Sequence, residues 1–111
     1  MSLVGRWRIV DMELWDRDAV DLVAPAFIEF QPDATGSFGF VAVQAGLDWR
    51  MAPREGRAGV EFSWEGFDEG DPVSGRGWAT LEPDSELHGH LYFHLGDHSG
   101  FHARRLEGRL L

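Results

Sequence analysis

The brevity of its connections limits this chain more than any other feature. Stretches of alternating apolar and polar residues recur along it, separated by clusters of Gly, Pro, Asp and Ser such as "PDATG", "REGR", "PDSE" and "GDHSG". Alternation with period two marks a half-buried β-strand, and loops this short join only antiparallel neighbours, because a parallel crossover needs about a dozen residues. The pattern predicts eight strands, at Leu3–Leu14, Ala26–Gln31, Gly36–Gln44, Leu47–Pro53, Ala58–Glu65, Gly75–Glu82, Glu86–Leu95 and Gly100–Leu106. The one longer connection, "WDRDAVDLVAP", has acidic residues ahead of an apolar pair and stops at Pro25, which predicts a short helical segment between strands one and two.

Eight meandering strands leave two open edges unless the sheet closes on itself, and closure removes the hazard of edge-to-edge pairing. The expected fold is therefore all-β, an eight-stranded antiparallel up-and-down barrel; a two-sheet sandwich satisfies the same pattern. At 111 residues the chain is expected to form one domain, 1–111, around a single core. Alternation turns Trp7, Ile9, Ile28, Phe30, Phe38, Phe40, Leu47, Trp49, Met51, Val60, Phe62 and Trp64 inward. In strand seven Leu87, Leu91, Phe93 and Leu95 point one way, and His88, His90, Tyr92 and His94 the other.

Composition removes several function classes. No cysteine is present, which excludes disulfides, thiolate-bound metal and thiol catalysis. A net charge of -9 disfavours a phosphate backbone as partner. No apolar run reaches the length of a membrane span, and "MSLVGRWRIV" lacks the basic and apolar regions of a secretion signal, so a cytoplasmic location with no membrane partner is expected.

The opening Leu3-Val4-Gly5-Arg6-Trp7-Arg8-Ile9-Val10, with a short helical segment after it, resembles the first strand of the calycin superfamily of lipocalins, fatty-acid-binding proteins and avidins. Their Gly-x-Trp pattern is matched by Gly5 and Trp7. In lipocalins an Arg of the last strand packs over that Trp, and Arg104 or Arg105 in "FHARRL" is in the corresponding region. The resemblance implies a barrel with Trp7 as a wall residue. The chain is shorter than a typical lipocalin, which implies a squat barrel with a small cavity or none. The Arg-x-Tyr of fatty-acid-binding proteins and the further glycines of nitrobindin-like haem barrels have no counterpart.

An interior rich in large aromatics is either filled by its own side chains or shaped around one small ligand. The leading expectation is a non-enzymatic barrel, without cofactor, that takes a small apolar or aromatic molecule against Trp7, Trp49, Trp64 and Phe93, with Arg105 on the same face. The alternative is a filled barrel that self-associates, as a homodimer, or binds a partner through outward Trp15, Phe27 and Tyr92.

Further candidates for chemistry are few. All five histidines fall in "HGHLYFHLGDHSGFH". An odd-length loop places His94 opposite His102, where paired imidazoles would make a weak metal site; otherwise the run is the solvated face of a strand pair. Asp68, Glu69 and Asp71 read as a solvated loop whose carboxylates are suited to a hard cation but lack EF-hand spacing. Glu61 with Glu65, and Asp11 with Glu13, are possible carboxylate pairs, and a bulge would turn the latter outward. No nucleophile elbow or phosphate loop occurs.

Overall fold

A computed structural model describes residues 2–106. Eight strands and one helical turn follow in order: β1 Gly5–Met12, α1 Arg17–Val20, β2 Phe27–Phe30, β3 Thr35–Phe40, β4 Val43–Met51, β5 Gly59–Asp68, β6 Asp71–Leu81, β7 Leu87–Phe93 and β8 His98–Arg105. Each strand pairs antiparallel with the next, and β1 pairs with β8, closing the barrel. No helix among the described residues is long and apolar enough to cross a membrane.

The N-terminal segment and the β2–β3, β4–β5 and β6–β7 turns form one end, here the near end; the β1–β2 connection and the β3–β4, β5–β6 and β7–β8 turns form the far end. Near-end turns lie where their composition predicts. Pro32-Asp33-Ala34 and Pro83-Asp84-Ser85 are matching turns in which the Asp carboxylate accepts the N–H of Thr35 and of Glu86. The Thr35 hydroxyl and N–H together hold the Asp33 carboxyl below its usual range. Glu55-Gly56, with φ of 53° and 78°, closes the β4–β5 hairpin across the Arg54–Arg57 bridge.

Far-end turns depart from expectation. The β3–β4 reversal is Val41-Ala42, not the stretch around Gly46, which is an outward strand position paired with Ser37 and Glu65. β5 and β6 run on to a two-residue turn, Glu69-Gly70, so Gly66, Phe67, Pro72 and Val73 are strand residues and the acidic cluster is a hairpin tip. β7 ends at Phe93 and turns through His94, Leu95 and Gly96, with the Phe93 N–H donating to Asp97 O at 2.9 Å; Leu95 projects into solvent instead of the core.

The β1–β2 connection is pinned at both sides. Asp16 caps α1 by accepting the Ala19 N–H, and Asp21 accepts two bonds from Arg8 at 3.0 and 2.7 Å and one from the Ala26 N–H. The Arg8 guanidinium, followed by the Ala26 bond, lowers the Asp21 carboxyl below its ordinary value. A bulge between Ile9 and Asp11 turns Asp11 outward while Met12 stays buried.

Candidate functional site

The barrel interior is occupied by rings in mutual contact. From the near end, Trp49 meets Phe30 at 6.2 Å, Phe30 meets Phe62 at 5.9 Å, and Phe62 meets Phe38 at 6.5 Å between centroids. Phe38 continues to Trp64 at 5.1 Å and Trp64 to Phe93 at 5.1 Å; Trp15 and Phe40 close the far end against Phe93 and each other. Rings of this size fit because glycines stand directly opposite several of them: Gly75 faces Trp64, Gly77 faces Phe62 and Gly89 faces Phe101. A Cβ on Gly89 would lie 2.4 Å from the Phe101 ring.

The predicted ligand-wall residues occupy different levels of this column. Trp64 and Phe93 touch, whereas Trp49 is at the near end, joined to them only through Phe30, Phe62 and Phe38. Trp7 is fully buried between β2 and β8, with the Arg105 guanidinium 4.2 Å above its ring. Arg105 also donates to the carbonyls of Val4 and Ser2, so of the two candidate arginines this one covers Trp7, and Arg104 pairs outward with Glu86.

Every indole in the group spends its N–H on the backbone: Trp7 on Leu3 O, Trp49 on Gln31 O and Thr35 O, Trp64 on Arg76 O. Buried polar residues among those described are Thr80 and Ser99, both hydrogen-bonded. These three indoles therefore offer no free donor to orient a guest. At the near end a recess of about 150 Å³ opens between Leu3, Phe30, Trp49 and Val60, well under the roughly 300 Å³ at which small-molecule pockets begin.

The outer face of β6–β8 gathers the histidines, in a register different from the one expected. His88, not His94, stands opposite His102, with ring centroids 4.0 Å apart; His94 lies past the end of β7. The even-sum pairing is kept, but the turn comes earlier in the chain, which slides the partners along β8. His90 and His98 are hydrogen-bonded, Nε2 to Nδ1 at 2.8 Å, and His102 Nδ1 is 3.1 Å from Asp11. Burial, then the neighbouring His98, lowers the His90 pKa, and Glu13 opposes that shift. No group of three or more His, Asp or Glu among the described residues converges to hold a metal ion.

Beside this face, an open groove of about 690 Å³ crosses the outside of β4–β7, lined by Arg50, Arg54, Glu61, Arg76, Trp78 and Tyr92. Glu61 is taken by Arg50 at 2.7 Å. Arg54 lies 4.1 Å over the Trp78 ring and Arg76 lies 5.6 Å from the Tyr92 ring, and neither forms an ion pair among the described residues. Periodicity turns Tyr92 outward but leaves the faces of strand six ambiguous and places Arg54 outside any strand, and it gives no sign that two cations meet two rings, since that depends on the register of four strands. Glu65 also faces out, and Trp15, expected outside, folds in over Phe40 and Phe93. Compared with protein-family models, curated proteins and solved structures, the chain matches none of them.

Proposed function

We propose that this chain is a non-enzymatic recognition module: a calycin-like barrel with a filled interior that binds a partner through its outer surface. The aromatic column carries this reading, because the rings and their opposing glycines occupy the space a guest would need. Gly5-x-Trp7 with Arg105 over the indole supports the calycin kinship. The lack of cysteine suits a reducing compartment, and a cytoplasmic location is part of the proposal.

The test is a titration of tryptophan emission with indole, a long-chain fatty acid and anilinonaphthalene sulfonate. A filled barrel leaves the emission maximum unchanged, because Trp7 and Trp64 already lie in protein. Saturable one-to-one binding that perturbs those buried indoles would overturn the proposal and restore the interior as the site.

One observation favours a second reading, in which the occupant is a small planar anion on the β4–β7 groove. Arg54 and Arg76 form no ion pair among the described residues, in a chain of net charge -9, and each lies beside an aromatic face. Benzoate and inorganic phosphate, titrated separately against the Trp78 indole resonance, test it. Saturable benzoate binding lost in Arg76→Gln supports the planar anion, and equal binding by the variant removes it.

A further inference from the structure

The two ends of the barrel share a Glu-Gly hairpin turn but differ in their other connections. Near-end turns use Pro-Asp pairs and a Glu-Gly, which satisfy their own backbone, and Met51 and Leu106 are the large apolar side chains exposed beside them. At the far end the β1–β2 connection exposes Leu14, Leu22 and Val23, and the β7–β8 turn holds Leu95 at 94% exposure. Leu95 also has φ of +59°, in the left-handed region where a leucine Cβ is strained, although Gly96 is next to it. The same left-handed turn geometry recurs at Ala34, Val41, Glu55, Glu69 and Ser85, so what sets Leu95 apart is a large apolar side chain held almost wholly in solvent.

These two connections are neighbours, because closure sets β8 beside β1. The Glu13 N–H donates to Gly100 O at 3.0 Å, the Leu14 N–H to Ser99 Oγ at 3.1 Å, and Trp15 packs on Phe93 at 6.4 Å. Exposed Glu13, Asp16, Asp18 and Asp97 lie on the same two segments, with Arg17 the single arginine there. A second copy docked end to end would oppose like charges, and nucleic acid or an anionic membrane would be repelled.

We infer that the far end, through Leu14, Leu22, Val23 and Leu95, docks a polypeptide whose apolar surface is bordered by basic residues. This rests on the partner-binding reading above and names the partner's chemistry.

The test uses the full chain, labelled with ¹⁵N, and two synthetic amphipathic helices of one pattern, leucine–lysine and leucine–glutamate. The leucine–lysine peptide should shift amides of residues 13–25 and 93–99, and should bind more weakly as salt rises. The leucine–glutamate peptide should not bind. Leu95→Asn relieves the backbone strain, so it should unfold at the same urea concentration as the parent or higher, while binding falls about tenfold with the lost apolar contact.

Equal binding of both peptides, or full binding by Leu95→Asn, would overturn the inference. Shifts confined to the β4–β7 groove would overturn this site but leave a partner-binding barrel standing. No binding by either peptide overturns the far-end site as well. Failure of the underlying reading shows separately, as a guest inside the barrel in the emission titration.

Discussion

Gly89 and Phe101 show how far a single position is legible. Both are buried in one cross-strand pair, and the space a glycine side chain leaves is taken by the opposing ring. The sequence places Gly75, Gly77 and Gly89 in strands, and only the register shows that they admit Trp64, Phe62 and Phe101. Gly89→Ala puts a methyl 2.4 Å from the Phe101 ring and 2.5 Å from Trp78 O, so it should destabilise the fold by about 1–3 kcal/mol, measured by urea unfolding. Adding Phe101→Leu removes the ring clash, so the double variant should be more stable than the two single losses sum to. Strict additivity would show that the pair does not share this space.

At the scale of elements, the near-end turns and the inward faces are legible because Pro-Asp pairs and period-two alternation carry their own local physics, but alternation fails at strand ends, where Met51 and Leu95, expected inward, are exposed. The far-end turns are not, since Val41-Ala42 and His94-Leu95-Gly96 use residues that tertiary packing, not turn propensity, put there; the Val41 N–H, for instance, donates to Val20 O at 2.8 Å. The His94–His102 pairing fails for the same reason, because a register inherits the error of its turn. The β1–β2 connection depends on Asp21, whose carboxyl is held below its usual range by Arg8. A lowered carboxylate stabilises the fold above its unfolded value and loses that contribution as pH falls through the folded one. Asp21→Asn should therefore cost about 1 kcal/mol at neutral pH, at the low end because water reaches both partners. In chemical unfolding the gap from the parent should close below roughly pH 4. His90 has the same sign: its pKa is lowered from 6.5, so the folded state prefers it neutral and stability falls as pH drops below that value. Its ring resonances should titrate below those of an exposed histidine, although Glu13 faces it, and His90→Asn should flatten the stability profile in that window. An unchanged slope would show that the His90–His98 contact does not resist protonation.

For the whole molecule, closure matters more than any one strand, because it converts eight half-buried strands into one interior that must be either filled or occupied. The number of strands and the aromatic content are readable in the sequence, but the choice between those outcomes is not. It depends on whether rings from β2, β3, β4, β5 and β7 reach one another across the barrel. Phe38 is the decisive position, touching Phe40, Phe62 and Trp64 from the middle of the column. Phe38→Ala should cost about 3–5 kcal/mol and leave a dry cavity, which a domain with about 5–15 kcal/mol of stability survives at low temperature. That cavity should take up benzene, raising the variant's unfolding midpoint and changing the emission of Trp64, while the parent shows neither effect. Phe38→Leu should give a smaller loss of the same sign, so the packing account can be checked even if the alanine variant does not fold. Benzene uptake by the parent would mean that the column leaves usable space, and the functional site would then move from the outside of the barrel to its interior.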